Sequence, residues 1–206
     1  MKKAIEIITN PITGEKMEFL QTAEDTCGTL LQIMLTVQPG GFVAAPHIHP
    51  LQEERFVVQS GTIRLQVNGD ERLLSTGQEG LIPQGAPHAW WNGGADELKA
   101  IVEFRPALRS QDFFSTLFAL ARDGKTNKMG LPNLLQIAVM YRKFGSLIFL
   151  AKPSIPVQKL LFSSIAWIGL LLGYHADYPY SPKSQEDVRR AAEAEMGSVM
   201  IDSTGC

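Results

Sequence analysis

The first hundred residues alternate short apolar runs with turn-forming residues. One run, "TLLQIMLTV" over Thr29–Val37, ends at a Pro-Gly-Gly, and Thr62–Val67 alternates apolar with polar side chains. The Asn68-Gly69 pair that follows suits a type I′ hairpin turn, whose two central residues both need positive φ. Strand-length segments that recur about every 8–12 residues without helices between them indicate a β-sandwich or barrel. We therefore predict an all-β region from Ile5 to about Phe104.

A helical period replaces this alternation after Arg105-Pro106. The pattern predicts a first helix that is N-capped by Ser110 and ends near Gly124, a second over Asn133–Lys152 and a third over Val157–Tyr174. The third helix has an apolar stripe, which we expect to be its buried face. The stripe consists of Val157, Leu160, Leu161, Ile165, Ile168, Leu171 and Leu172.

These patterns divide the chain into three parts. Residues 1–106 form the predicted β-barrel domain, and residues 107–180 form a helical extension that packs on the barrel or on a second subunit. Residues 181–206 form a polar tail, in which Ser184 and Asp187 resemble a capping box before a short helix.

The amino-acid composition limits which partners and which cellular compartment we expect for this protein. The net charge of −2 gives no basic surplus, so we expect no nucleic-acid partner. Two cysteines, Cys27 and Cys206, and no apolar run of signal-peptide length near the N-terminus favour the cytoplasm. The uncharged stretch Leu160–Tyr174 is shorter than the roughly 20 residues of a spanning helix. We expect this helix to be buried, with peripheral membrane contact of residues 157–174 left open, and we expect a homodimer.

Three of the four histidines cluster in two short segments with one glutamate. His47 and His49 are two apart, so on a strand their side chains point the same way. Glu54 begins the next apolar strand and can reach them, and His88 starts another strand after a Pro/Gly turn. Singly, each is an ordinary solvated residue at a strand end. Together, three imidazoles and a carboxylate are a mixed N/O ligand set for a transition metal.

The spacing of these residues makes the prediction specific. The chain reads G-x5-H-x-H-x4-E-x6-G and then G-x5-P-x-G-x2-H-x3-N, which resembles the two signature motifs of the cupin superfamily. The positions are Gly41, His47, His49, Glu54 and Gly61, then Gly77, Pro83, Gly85, His88 and Asn92. The wider pattern, roughly Asn10 to Tyr180, is similar to single-domain bacterial cupins with a C-terminal helical extension. That similarity does not indicate a substrate for this protein.

The resemblance implies a mainly-β fold, a double-stranded β-helix (jelly-roll) barrel followed by C-terminal α-helices. It also implies that His47, His49, Glu54 and His88 bind one divalent transition metal in the barrel mouth. Iron or manganese is favoured, and zinc, nickel, cobalt and copper stay open. Gly61, Gly77 and Gly85 fall where turns need a permissive backbone.

The alternation of side chains between the two faces of a strand suggests which residues surround the metal. If His47 and His88 face inward, so do four apolar side chains, Ala45, Phe56, Val58 and Trp90. Such a pocket suits a small apolar or aromatic molecule that binds the metal through oxygen. The alternative is that Phe56, Val58 and Trp90 simply fill the barrel core. We expect a dioxygenase-like enzyme in which Glu54 shifts between ligand and base and Gln52 or Glu53 orients a hydrogen bond. A non-enzymatic small-molecule sensor and an oxygen-independent isomerase or cyclase are the alternatives.

Overall fold

The computed structural model describes residues 5–178. Two antiparallel sheets face each other. The six-stranded sheet has the order β1-β2-β3-β10-β5-β8, and the five-stranded sheet has the order β11-β4-β9-β6-β7. The strands of the first sheet are β1 Ile7–Asn10, β2 Glu15–Gln21, β3 Leu31–Val37, β5 Glu53–Ser60, β8 Glu79–Ile82 and β10 Leu98–Arg105. Those of the second are β4 His47–Ile48, β6 Thr62–Val67, β7 Asp70–Ser75, β9 His88–Asn92 and β11 Phe149–Leu150. Three helices follow the barrel strands, α1 Ser110–Arg122, α2 Leu134–Phe144 and α3 Ile155–Leu171. The predicted fold class, a jelly-roll β-barrel with C-terminal helices, is confirmed.

The core fills the space between the two sheets. On β5 the burial alternates, so that Phe56 and Val58 point inward and Arg55 and Val57 do not. β6 shows the same alternation, with Ile63 and Leu65 buried. This period of two places one apolar face of each sheet against the other.

The hairpin between β6 and β7 forms at the predicted turn. Asn68 and Gly69 have φ values of 54° and 93°, and Val67 pairs with Asp70. Both central residues therefore occupy the left-handed region that a type I′ turn requires.

The predicted second helix was too long. α2 ends at Phe144, and Phe149–Leu150 instead forms β11, which pairs with Ile48 and His47 of β4. The two-residue β4 would otherwise leave its outer edge without a neighbour, and edge strands are covered or paired where possible. Part of the predicted helical segment thus belongs to the sheet that holds the histidines.

The first helix begins one position away from the predicted cap. Arg109 occupies the N-cap position, and Ser110 is the first helical residue. The hydroxyl of Ser110 donates to the carbonyl of Ala107 at 2.9 Å instead of accepting from the helix. The turn before the helix uses this hydroxyl, so it does not cap.

The third helix buries a different face from the predicted one. Its buried residues are Gln158, Phe162, Ala166 and Gly169, while most of the predicted stripe is exposed. Small residues explain the choice, because a Cβ at Gly169 would lie 2.6 Å from Cγ2 of Val139 on α2. The absence of a side chain at Gly169 therefore lets α3 pack closely on α2 on this side.

No helix within residues 5–178 combines the length and the apolar character needed to cross a membrane. The short helix predicted with Ser184 and Asp187 lies outside the described residues.

Candidate metal centre

Three strands bring the predicted ligands to one point. His47 on β4 pairs in register with His88 on β9, His49 follows β4, and Glu54 lies on β5 of the other sheet. All four side chains are buried, although histidine and glutamate are seldom buried unless they are paired or bind a metal. Their ligand atoms all lie within 4.8 Å of one another. Ligand atoms that each lie about 2.0–2.2 Å from one ion are at most about 4.4 Å apart, so small side-chain shifts of a few tenths of an ångström would bring all four into binding distance.

Backbone carbonyls orient all three imidazole rings. Nδ1 of His47 lies 2.9 Å from the carbonyl oxygen of Ala45, Nδ1 of His49 lies 3.0 Å from that of Leu147, and Nδ1 of His88 lies 2.9 Å from that of Ala86. A carbonyl oxygen can only accept, so each Nδ1 donates its proton. In a neutral ring, each Nε2 then carries a lone pair. This is the arrangement in which histidine binds metals through Nε2.

Glu54 lies against two of these Nε2 atoms. Its Oε2 is 2.9 Å from Nε2 of His88 and 3.7 Å from Nε2 of His49. Despite the short distance, neither Oε2 of Glu54 nor Nε2 of His88 has a hydrogen bond of good geometry within the described part of the chain. Two buried polar atoms that face each other without one are expected where both bind a third group.

Burial also favours the neutral, metal-binding form of His47 and His49. Desolvation, together with the neighbouring His88 and His49, holds the pKa of His47 well below its ordinary value. Desolvation likewise lowers the pKa of His49, although Glu54 opposes this effect. For His88, burial lowers the pKa, but the hydrogen-bonding and charge interactions of Glu54 outweigh it, and the net pKa is raised.

The donor set therefore fits a divalent transition metal. His47, His49 and His88 would bind it through Nε2 and Glu54 through a carboxylate oxygen. Three imidazoles and one carboxylate suit iron, manganese, cobalt, nickel, copper or zinc, and they leave open positions on a six-coordinate ion.

A cavity extends from His47 towards the helices. The centres of water-sized molecules can occupy about 130 Å³ of it, which is room for roughly ten waters or a small organic molecule. Its walls come from β2, the segment before β4, and all three helices, and they are almost entirely apolar and aromatic. The aromatic members are Phe113, Phe114, Phe118, Tyr141, Phe144, Phe149 and Phe162.

One of the four predicted pocket residues lines this cavity. Ala45 lies beside His47 at its wall. Phe56, Val58 and Trp90 instead belong to the core between the sheets, where the Phe56 and Trp90 rings meet edge to face at 5.9 Å. Alternation along a strand shows that a side chain points inward, but it does not show how deep in the barrel that side chain lies.

Glu15 is the polar cavity residue that sequence reasoning missed. It lies on β2 beside the inward-facing Met17, and its Oε2 accepts from the Thr13 hydroxyl at 2.6 Å. Desolvation by burial raises the pKa of Glu15 to about 8, while the Thr13 hydrogen bond opposes the rise and the charge of Glu54 adds to it. A signal was present, because Glu15, Met17 and Phe19 share the inward register of β2.

Gln52 and Glu53 were the residues predicted to orient a hydrogen bond beside the metal, and the structure places them differently. Gln52 is buried, and its Nε2 donates to the carbonyls of Pro106 and Ala107 and to Oγ of Ser110. It therefore ties the start of β5 to the segment that leads into α1. Glu53 lies on the opposite face of β5 from Glu54 and is only half buried.

The remaining motif positions shape the backbone around the site. Gly61, Gly77 and Gly85 all have positive φ, and a Cβ at Gly61 would lie 2.7 Å from the Glu97 carbonyl oxygen. Gly41 has no room for a Cβ, which would come within 2.5 Å of Cγ1 of Val37. Asn92 donates through Nδ2 to three backbone carbonyls, those of Val37, Gln38 and Asp96. Pro83 accepts from the amide of Ala86 in the turn before His88.

A comparison with known protein families finds a match within the β region of the chain. Residues 33–104, which include all four candidate ligands, match the family model described as a cupin domain. These residues therefore form a cupin domain, as the two motifs predicted.

Two curated relatives each match about half of the chain. Mannose-1-phosphate guanylyltransferase of Escherichia coli is 37% identical over 112 residues, which is 49% of this chain and 23% of the relative. The enzyme of the same name from Klebsiella pneumoniae is 29% identical over 112 residues, with the same shares of 49% and 23%. The chain thus spans less than a quarter of the length of these relatives.

Solved structures align with about half of the chain. A cupin-superfamily sugar phosphate isomerase from Silicibacter pomeroyi aligns over 50% of this chain and 71% of its own, with a TM-score of 0.44 and 18% identity. A predicted oxalate decarboxylase from Thermotoga maritima aligns over 51% of this chain and 94% of its own, with a TM-score of 0.45 and 21% identity.

Proposed function

We propose that this protein is a mononuclear metal-dependent enzyme, dioxygenase-like, that acts on a small apolar or aromatic molecule bound to the metal through oxygen. The proposal rests on one observation, that the candidate metal ligands and an apolar cavity meet at His47. The four-residue donor cluster lies at one end, and an apolar cavity opens from it. A site for metal storage or for a structural ion would not need such a cavity.

The chemistry of the cavity wall supports the substrate class. Aromatic and aliphatic side chains line it, and the ionisable members of the wall are Glu15, His47 and Tyr141. A sugar or nucleotide would leave its hydroxyls and charges against hydrocarbon, at a cost of about 1–3 kcal/mol for each unpaired polar group. A ring or short aliphatic body with one oxygen-bearing end avoids that cost.

Each polar residue has a definable role in this proposal. A divalent iron or manganese ion held by the four ligands would supply Lewis-acid activation of a ligand oxygen and, for iron, redox chemistry. Glu54 would bind the ion through a carboxylate oxygen beside His88 and balance part of its charge. The apolar wall orients the body of the molecule and excludes water.

An oxygen-independent isomerase or cyclase is the second candidate, and Glu15 is the observation that favours it. A second carboxyl group with a pKa of about 8 lies in the cavity wall together with His47. Such a group can take and return a proton near neutral pH without any oxidant. A non-enzymatic sensor would use the same cavity for binding alone.

Oxygen uptake distinguishes these functions. The full chain, loaded with Fe(II) or Mn(II), is tested with a panel of β-diketones and phenols in an oxygen electrode, while product analysis detects isomers or cyclised products. Ala45→Phe narrows the cavity beside His47, and Ala95→Phe at an exposed site is the matched control. We expect metal-dependent oxygen uptake that Ala45→Phe reduces at least about tenfold and Ala95→Phe leaves unchanged. Turnover without oxygen uptake would favour the isomerase, and saturable binding of these compounds without turnover would favour the sensor.

A further inference from the structure

Within residues 5–178 the outer face of α3 is apolar and largely exposed, and the guanidinium of Arg142 lies over its Trp167 ring at 4.9 Å. Leu160, Trp167 and Leu171 expose 73%, 64% and 87% of their surface, whereas the opposite face of the same helix packs on α2. Large apolar side chains at such exposures, contiguous on one helix, mark an interaction surface and not an ordinary solvated face. The inner face already closes the cavity through Phe162 and Gln158, so in the described part of the chain it is the outer face that is exposed to a further partner.

The spacing of this face is that of a helix–helix seam. Val157, Leu160, Ser164, Trp167 and Leu171 follow each other at intervals of three, four, three and four residues. This is the a/d pattern by which one helix packs against another. We call these five residues the α3 seam.

Ser164 lies at the midpoint of the α3 seam. Its hydroxyl donates to the carbonyl of Leu160 in its own helix at 2.7 Å, so it does not need water when it is covered. A small residue with an internally satisfied hydroxyl lets two helices approach closely at their crossing point.

The charges of α3 and of the whole chain argue against a lipid surface. Helices that lie in a membrane interface carry lysine and arginine along a polar face. α3 has one charged residue, Lys159, and the whole chain has a net charge of −2. The residues after Tyr178 also suit this surface poorly, since 8 of these 28 are charged.

The area of the apolar surface fits a protein partner. Eight apolar side chains on or next to α3 are more than a third exposed: Val157, Leu160, Leu161, Trp167, Ile168, Leu170, Leu171 and Leu172. Covering them removes a few hundred Å² from water, by a rough value of 60–120 Å² for each fully exposed side chain. This is about the apolar share of a standard interface of about 800 Å² per partner.

We propose that two copies of this chain pair through the α3 seam, with Ser164 of one copy against Ser164 of the other. A seam that is centred on Ser164 is self-complementary, as a two-fold interface requires. Because Ser164 is the midpoint, it meets its counterpart whether the two helices run parallel or antiparallel.

Sedimentation velocity of the full chain at micromolar concentration tests the pairing. We expect a dimer. We also expect Leu160→Lys combined with Leu171→Lys to weaken self-association at least about 30-fold, which is the effect of losing one hot-spot contact. Leu73→Lys is the matched control, because Leu73 is exposed to 56% on β7, away from the seam. Unchanged far-ultraviolet circular dichroism shows that each variant is folded.

Cysteine cross-linking locates the contact. In a background with Cys27→Ser and Cys206→Ser, oxidation of Ser164→Cys should join two chains, while Ser163→Cys, about 100° away around the helix, should not. A monomeric wild type without a Ser164→Cys cross-link overturns the proposal, as does a dimer that the seam variants leave intact. Binding of a monomer to phosphatidylcholine vesicles, lost on Leu171→Lys, would assign the surface to a membrane instead.

Discussion

Nε2 of His88 lies 2.9 Å from Oε2 of Glu54, and the two residues belong to different sheets. His88 opens β9 of the five-stranded sheet, and Glu54 follows the first residue of β5 in the six-stranded sheet. The candidate metal centre thus joins the two halves of the barrel. Two atoms of this cluster lack well-formed hydrogen bonds, so a bound ion would complete it and strengthen the contact between the sheets.

Removal of one imidazole should abolish metal binding. Protein purified without chelator is expected to hold about one iron or manganese ion per chain, and His49→Ala and His88→Ala are expected to lose it. His175→Ala is the matched control, because that histidine is exposed and outside the cluster. Elemental analysis measures the content. Equal metal in all four proteins would contradict the proposed ligand set.

Loss of the Glu54 charge should lower the pKa of His88 in the metal-free protein. Burial alone lowers this pKa, and Glu54 is the neighbour that reverses the effect. Glu54→Gln keeps the shape of the side chain but removes the charge, so the imidazolium loses its partner. Titration followed by NMR of the imidazole carbons measures the shift. Glu53→Gln, on the other face of β5, should leave the His88 titration where it is.

Glu15 should make the metal-free protein less stable at alkaline pH. Its pKa is raised to about 8 in the folded state from 4.5, so the folded state binds more protons than the unfolded state between these values. The free energy of unfolding therefore falls as the pH rises from about 4.5 through 8, by an amount on the order of a few kcal/mol. Glu15→Gln removes the charge and should flatten this decline.

Urea unfolding of metal-free protein at pH 5, 7 and 9 checks the Glu15 prediction. We expect Glu15→Gln to be more stable than the wild type at pH 9, with the difference shrinking towards pH 5. Glu18→Gln, on the outward face of the same strand, is the control. A pH dependence that is the same in the wild type and in Glu15→Gln would show that this carboxyl group does not titrate as the structure indicates.

Gln158 should hold β11 and α3 together. Its Oε1 accepts from the amide of Leu150 at 3.1 Å, and its Nε2 donates to the carbonyls of Leu150 and Pro153 at 2.8 and 2.6 Å. Gln158→Ala leaves these buried groups unpaired, so we expect a loss of about 1–3 kcal/mol in the free energy of unfolding.

Hydrogen exchange locates the effect of Gln158→Ala. The amides of Phe149 and Leu150 should exchange faster, because β11 then has only its pairing with β4. Gln59→Ala is the control, since Gln59 is exposed and bonds only within its own strand. Unchanged protection of β11 would mean that the strand does not depend on the glutamine.

Strands and turns could be predicted from the sequence because they depend mainly on residues that are close together in the chain. Period-two alternation predicted strands such as β6, and the Asn68-Gly69 turn followed from its demand for positive φ. The second helix was overextended because Phe149 and Leu150 pair with β4, about one hundred residues earlier. A local pattern contains no information about such a partner.

The sequence by itself determined the class of fold and the candidate donor set, because residue type and spacing specify where two histidines, a glutamate and a third histidine fall on strands. Only the tertiary structure decided what faces them. It brought Glu15 of β2 and the aromatic residues of α1, α2 and α3 to the cavity, and it moved Phe56, Val58 and Trp90 into the core. It also decided which face of α3 is buried, because Ala166 and Gly169 let the helix pack closely on α2 while the more apolar stripe points away from it.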